Sequence, residues 1–515
     1  EELIEDGDTI GGLELVSDAV PDRQSLVYTL AFPEQEHKIG GECVDPATGR
    51  GYKVAVDDER GLVTLRRSKK RAEEPLPRGL IPGAPIPDRV LRDAVQRFAE
   101  SYLAADNRYP ALVEILERRR PSARLDLPLP EAALSLDGSY LFVQGPPGSG
   151  KTWQGGQAAI ALMRAGRRVG VTSLSHKAIH NLLRAIEHEA QRLGYTFRGR
   201  KKSSGNEETR YEGPCIDSSD ENADLLDPEL QLIAGTAWLF SRPELSGHVD
   251  TLIVDEAGQV SLADAIASGT STRNLILLGD PNQLPQVSQG AQPMEAKRSV
   301  LQHLLGDAVT IPRDQGIFLE RTWRLRPELC AFTSDAYYGG RLEPAEAAAR
   351  RTLAAGNGLQ MLGVEHAGRS QSSWEEADAV ARVIRSLLGT TFTDEGVTRE
   401  LASTDVLVVA PYNAQVRALR ARVPDGVRVG TVDKFQGQEA PVVLVSFASS
   451  SGEEAPRGIQ FAFDRHRVNV ATSRGQCRVV LVCAPRLLEA DCRTVSDMRL
   501  LNAVCRFEEL ARQYK

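Results

Sequence analysis

Gly145-Pro146-Pro147-Gly148-Ser149-Gly150-Lys151-Thr152 is entered from the apolar stretch Leu141-Phe142-Val143 and left into a helical pattern carrying Ala158, Ile160, Ala161 and Leu162. Strand, glycine-rich loop and helix in that order are the context of a phosphate-binding loop. The glycines let backbone N–H groups turn inward around phosphate oxygens, and the helix N-terminus adds positive potential. Lys151 is then expected to reach the β- and γ-phosphates, and the Thr152 hydroxyl to ligate Mg²⁺. The loop implies a nucleoside triphosphate. Because such a pattern also arises by chance in glycine-rich loops, its meaning rests on the segments C-terminal to it.

At 515 residues the chain is too long for one core, and by the usual size of roughly 100 to 200 residues per domain it should hold several. A hydrophobic content of 41% with 26% charged residues is ordinary for a soluble protein. No apolar run approaches the roughly 18 residues that span a bilayer, so no membrane segment is expected. The net charge of −8 argues against indiscriminate polyanion binding, and any nucleic-acid site must be local. Seven cysteines without a C-x-x-C pair speak against a zinc or iron–sulfur site and fit a reducing, cytoplasmic compartment. The chain starts Glu1-Glu2, without Met or a signal-peptide pattern, as a piece of a longer protein would.

Residues 1 to about 66 alternate in short runs such as Leu26-Val27-Tyr28-Thr29-Leu30, broken by Gly, Pro and Asp turns, and read as a small all-β barrel. The basic cluster Arg66, Arg67, Lys69, Lys70 and Arg71 and a Pro-rich linker follow, so the barrel with its linker is assigned to 1–85. The basic cluster would suit a nucleic-acid backbone, although a solvated charge run is the plainer reading. Two helical patterns within 86–135 read as a stalk. From Tyr140 onward, short apolar strands alternate with helices, the signature of an α/β fold with parallel sheets. The strands expected are Leu141 to Gln144, Arg168 to Thr172, Leu232 to Ala234, Thr251 to Val254, Leu275 to Leu278, Val406 to Ala410, Val442 to Phe447 and Val479 to Cys483. They divide into one α/β domain over 136–310, interrupted by an insertion or long loop at about 194–227, and a second over 311–515.

Downstream of the loop, Thr251-Leu252-Ile253-Val254-Asp255-Glu256 is an apolar strand ending in two carboxylates. Asp255 can hold Mg²⁺ opposite Thr152, while Glu256 polarises a water for in-line attack on the γ-phosphorus. A second strand runs into Gly279-Asp280-Pro281-Asn282-Gln283, which alone would pass as turn chemistry. Beside the Asp255 strand, Gln283 would hydrogen-bond the γ-phosphate or the attacking water. Phosphoryl transfer also calls for a cation, and Arg324 and Arg474 are the candidates.

Taken in order, these segments resemble the motif series of superfamily 1 helicases over about residues 140 to 485. The likeness is to the branch of the nonsense-mediated-decay RNA helicases and related DNA helicases, carried by Gly145 to Thr152, Asp255 to Gln259, Gly279 to Pro285, the Trp323-Arg324 pair and Val432 to Gly437. The resemblance implies two tandem RecA-like domains using ATP and Mg²⁺. It also implies Gln283 as γ-phosphate sensor, Arg324 and Arg474 as fingers from the second domain, Trp323 stacked on adenine, and Gln436 and Glu439 at the nucleotide. It assigns single-strand contacts to Thr172, Ser173, Ser175, His176, Gly235, Thr236, Pro411, Tyr412, Asn413, Gln415, Thr431 and Asp433. The Gln that reads adenine in this family has no counterpart upstream of the loop. His176 stands where Asn is common, and Thr-Ser-Arg-Gly-Gln surrounds Arg474 in place of Thr-Arg-Ala-Lys.

The whole chain further resembles the C-terminal half of bacterial proteins that fuse a RecB-like nuclease to a helicase, which favours DNA and a nuclease N-terminal to this chain. The activity expected is ATP-dependent 5′-to-3′ translocation on single-stranded DNA with duplex unwinding. The alternatives are the same motor on RNA, an ATP-gated nucleic-acid clamp, and a small-molecule NTPase.

Overall fold

The computed structural model describes the chain apart from residues 1, 7, 34, 36, 38, 59, 84–86, 286–297, 436 and 514–515. Residues 1–86 and 351–515 pack as one compact unit, and residues 87–350 as another.

The N-terminal segment forms an antiparallel sheet of β1 (Ile10–Gly11), β2 (Glu14–Leu15), β3 (Val20–Asp22), β4 (Ser25–Ala31), β5 (Gly41–Asp45), β6 (Arg50–Asp57), β7 (Leu62–Ser68) and β8 (Gly79–Pro82). Its order is β1-β8-β5-β6-β7-β4-β2, with β3 on β4. The sheet curls around Ile10, Leu30, Val63, Leu65 and Leu80, whose alternation along the strands makes one face apolar. Among the described residues its ladder does not close, so the expected barrel is an open half-barrel. The basic cluster is also less free than its sequence implies. Arg67 is buried and donates to the Tyr52 hydroxyl and the carbonyls of Glu74 and Pro75. Arg66 pairs with Asp22 and Arg71 with Glu74.

The second unit opens with the stalk helices Arg89–Ala104 and Pro110–Leu116. Its sheet is wholly parallel: β9 (Tyr140–Gln144), β10 (Val169–Thr172), β11 (Gly199–Lys202), β12 (Ile216–Ser219), β13 (Leu232–Ala234), β14 (Val249–Val254), β15 (Thr272–Gly279) and β16 (Ile317–Phe318), in the order β12-β11-β13-β10-β14-β15-β9-β16. Helix His176–Leu193 shows why the helices form where they do. Ser175 caps it by accepting the Ala178 N–H, Gly194 ends it at φ 62°, and Ile179, Leu182, Leu183, Ile186 and Ala190 line its buried stripe. The segment expected as an insertion or loop supplies β11 and β12 and extends the sheet.

The expected boundary near 310 also differs from the packing. Residues 311–350 belong with the phosphate loop: β16 pairs with β9, the Asn282 amide holds the carbonyls of Val309 and Tyr337, and β17 (Arg321–Thr322) pairs with β18 (Glu343–Pro344). In the C-terminal part, β19 (Thr352–Leu353), β21 (Thr391–Asp394) and β22 (Val397–Glu400) form a small antiparallel sheet. A parallel sheet of β20 (Gly358–Gly363), β26 (Gly475–Cys483), β25 (Ala440–Ser446), β23 (Val406–Ala410) and β24 (Arg428–Thr431), in that order, surrounds the second α/β core. Every strand expected from Tyr140 onward is present.

Candidate nucleotide site and strand-binding segments

In the second unit the strand register brings four loops to one carboxyl edge. Gln144 pairs with Gly279, and Val254 lies between Thr172 and Leu277. Loops beginning at 145, 173, 255 and 280 therefore leave the sheet side by side, where parallel α/β sheets place their ligands. The Gly145 N–H donates to the Gly279 carbonyl at 2.9 Å, and the Asp255 N–H to the Thr172 carbonyl at 2.9 Å.

Gly145 has no room for a side chain because the Lys151 stem passes over it. Lys151 is 9% exposed and its Nζ donates to the Gly145 carbonyl at 2.9 Å. Gly148 and Gly150 both hold positive φ, 73° and 81°, as the loop's turns require. Pro146, Pro147 and Ser149 are buried, and Thr152 is half-buried one residue into the helix.

Arg324, expected to arrive from a second domain, is in the same unit as the loop. Thr322 Oγ1 donates to the Pro147 carbonyl at 2.9 Å, the Trp323 N–H donates to the Gly148 carbonyl at 2.8 Å, and the Arg324 Cβ fills the space that a Cβ on Gly148 would need. Arg324 is half-buried, and Trp323 is 55% exposed.

Asp255, 2% exposed, accepts the Glu256 N–H at 2.9 Å. Burial and then the Glu256 charge push its carboxyl well above the usual range, with Lys151 opposing. Glu256 stands at φ 51°, a left-handed conformation that costs a non-glycine residue about 1 kcal/mol or more. Asp280, which sequence reasoning did not single out, is the hub of the neighbouring loop. It accepts from the Tyr338 hydroxyl at 2.6 Å, the Asn282 N–H at 3.1 Å and Gln283 Nε2 at 3.1 Å. Burial raises its pKa, opposed chiefly by Lys151. The signal was present in its place, a carboxylate ending an apolar strand as Asp255 does. Gln283 is thus held on Asp280.

Mg²⁺ fits this donor set: a Thr hydroxyl and a strand-end carboxylate are hard oxygens, and the buried acids lack full compensation of their charge.

The residues assigned to a strand by resemblance differ in access. The Thr172 and Ser173 hydroxyls are buried with no hydrogen-bond partner among the described residues. Ser175 is the N-cap of helix His176–Leu193, and His176 begins that helix with Nδ1 3.1 Å from Lys201 Nζ. Gly235 is buried and Thr236 half-buried before the short helix Ala237–Phe240. In the C-terminal part, Pro411 and Asn413 are half-buried, while Tyr412 is buried with its ring 5.5 Å from that of Phe461. Thr431 ends β24, and Asp433 is exposed, 3.6 Å from Arg467.

Gln415 is a correction. Its side chain is fully buried, accepts the Ser373 N–H and donates to the Ser373 carbonyl and Ser446 Oγ. Its side chain clasps the core and is turned away from solvent. Arg474, 2% exposed, donates from Nε to the Val470 carbonyl and from Nη1 to the Gln438 carbonyl, each at 3.2 Å. Glu439 is exposed and accepts from Gln476 at 2.7 Å. Gln436 lies outside the described residues.

Two family models, each described as an AAA domain, match residues 130–303 and 296–486. The DNA replication ATP-dependent helicase/nuclease JHS1 of Arabidopsis thaliana is 26% identical over 385 residues, covering 71% of this chain and 28% of that protein. The DNA replication ATP-dependent helicase/nuclease DNA2 of Gallus gallus is 25% identical over 363 residues, 68% of this chain and 35% of its own length. Helicase sen1 of Schizosaccharomyces pombe is 27% identical over 266 residues, 47% of this chain and 15% of its own. The chain thus spans about a third or less of each of these relatives. Its motif order, its two parallel-sheet cores and these matches make the chain a homologue of the superfamily 1 helicases, in the branch of the nonsense-mediated-decay helicases.

Proposed function

We propose that this chain is an ATP-dependent motor that moves 5′ to 3′ along single-stranded DNA and unwinds duplex. The observation that supports it most is the meeting of the phosphate loop, Asp255-Glu256, Asp280-Gln283 and Trp323-Arg324 at one carboxyl edge. In this reading the backbone of 145–150 and Lys151 cradle the phosphates, Lys151 leaving the Gly145 carbonyl to do so. Thr152 and Asp255 would hold Mg²⁺, which when bound offsets phosphate charge. Glu256 orients the attacking water and accepts its proton. Gln283 exchanges Asp280 for the γ-phosphate, Trp323 stacks on the base, and Arg324 offsets charge on the phosphoryl group. Arg474, Glu439 and Gln436 are assigned to the same nucleotide by family resemblance.

Thr172, Ser173, Ser175, His176, Gly235, Thr236, Pro411, Tyr412, Asn413, Thr431 and Asp433 are the proposed strand contacts, with Tyr412 acting through its backbone or after local repacking. DNA is favoured because two relatives are named DNA replication helicase/nucleases, and a nuclease acting with this motor is part of the proposal. Polarity rests on family resemblance. Seven free cysteines suit a reducing, intracellular setting, and among the described residues no helix is long and apolar enough to cross a membrane.

Unwinding of matched 5′- and 3′-tailed DNA and RNA duplexes with ATP tests the proposal. Displacement from the 5′-tailed DNA alone supports it, and a preference for the RNA duplex would reassign the substrate. Stimulated hydrolysis without displacement would make the chain a clamp. ATPase indifferent to any single strand would leave a small-molecule NTPase.

A further inference from the structure

β11 is a short, basic strand, yet Lys201 within it is fully buried. Its Nζ donates to the Thr209 and Lys202 carbonyls and lies 3.1 Å from Nδ1 of His176. An ammonium has three N–H groups and no lone pair, so three acceptors use it fully, and the His176 nitrogen facing it must be the acceptor. The one imidazole proton is then on Nε2. A second ring proton would set two cations side by side in a site with little water. Burial, and after it the charge of Lys201, accordingly hold the His176 pKa down to about 4, while burial lowers Lys201 itself to about 8. At neutral pH, Lys201 keeps its charge and His176 stays neutral.

His176 is also well placed. It is the first residue of an 18-residue helix, shortly after β10 and close in sequence to the buried hydroxyls of Thr172 and Ser173, which have no hydrogen-bond partner among the described residues. We infer that Lys201 is a positioning residue for the strand site: it fixes His176 as a neutral imidazole protonated on Nε2, a donor for a phosphate or sugar oxygen of single-stranded nucleic acid. This rests on the strand-binding role of His176 under the proposed function. It gives the segment between Gly194 and Asp227 a task, since β11 supplies the residue that sets the hydrogen-bonding sense of a side chain on another element. An amide donor needs no such partner, because its N–H₂ does not move between two nitrogens.

The full chain and a fluorescein-labelled oligothymidylate provide the test, by anisotropy at fixed salt. Lys201→Met should weaken binding about fivefold, the scale of one lost hydrogen bond, with basal ATPase unchanged. In a His176→Asn background the same change should be silent. Equal losses in both backgrounds would overturn the inference, because they would mark Lys201 as merely structural. Should Lys201→Met not fold, ¹⁵N-histidine NMR of the unaltered chain decides. A protonated Nε2 with a bare Nδ1 on His176, assigned by loss in His176→Asn, supports the lock, and a protonated Nδ1 overturns it. If the unaltered chain bound neither oligothymidylate nor oligouridylate, the strand-binding reading would fall and the positioning role with it. The spectrum would still show whether the lock itself exists.

Discussion

Gly279 lies against Gly258 with bare backbone on both sides: a Cβ on Gly279 would come within 2.7 Å of the Gly258 nitrogen. The loops carrying Asp255-Glu256 and Asp280-Gln283 are therefore spaced by the absence of two side chains. Gly279→Ala should force them apart, costing about 1–3 kcal/mol as overpacking does and lowering ATP turnover. Urea unfolding and steady-state hydrolysis check this, and parental values in both would show that the contact carries no constraint.

Lys151→Ala should abolish ATP hydrolysis, whereas Glu256→Gln should bind ATP and fail to cleave it. Filter binding of labelled ATP separates the two. Turnover by Glu256→Gln within about tenfold of the parent would remove Glu256 from the role of base, since a positioned base contributes roughly 10² to 10⁴ in rate.

Thr322 ties the Trp323-Arg324 segment to the phosphate loop through the Pro147 carbonyl. Thr322→Val keeps the shape and deletes that hydrogen bond together with the oxygen that accepts from the Arg324 and Leu325 N–H groups, at a cost of about 1–3 kcal/mol. The expected result is a raised KM for ATP with kcat reduced less. An unaltered KM would mean that the backbone bond from Trp323 to Gly148 suffices.

Asp280 is held above its usual value of 3.8 by burial, so the folded chain binds its proton more tightly than the unfolded chain does. Its contribution to stability is then fully present below 3.8 and is lost as pH rises through the higher folded value. Asp280→Asn removes the charge, so its melting temperature relative to the parent should be more favourable at about pH 8 than at about pH 5. Equal differences at both pH values would show that Asp280 does not titrate in this window.

Arg474→Ala should lower turnover at least about a hundredfold, toward the range of roughly 10³ to 10⁵ seen for arginine fingers. Because Arg474 is also bonded to the Val470 and Gln438 carbonyls, its melting temperature must be measured alongside. Turnover within a few-fold of the parent would end its assignment.

The strands of both parallel sheets were legible because buried central strands are nearly continuous apolar runs, as in Leu252-Ile253-Val254. β11 was not, since Gly-Arg-Lys-Lys reads as a solvated loop, and only tertiary structure reveals that Lys201 points inward. Gln415 misled in the opposite sense: an amide in a recognisable motif looks like a ligand contact, but its partners, Ser373 and Ser446, are distant in sequence. The boundary near 310 failed for a similar reason, because Asn282 and Asp280 reach forward to Tyr337 and Tyr338, bonds that no local pattern encodes.

The two-strand extension also has a bearing on self-association. Without β11 and β12, the sheet would end on β13, Leu232-Ile233-Ala234, an apolar strand with one row of open backbone groups, the kind of edge along which chains stack into aggregates. Instead the edge is β12, Ile216-Asp217-Ser218-Ser219, short and polar, with Asp217 bound to Arg200 on its neighbour. A shortened version lacking residues 199–219 would lose its guard against sheet-to-sheet sticking, and its solubility would fail before its chemistry did.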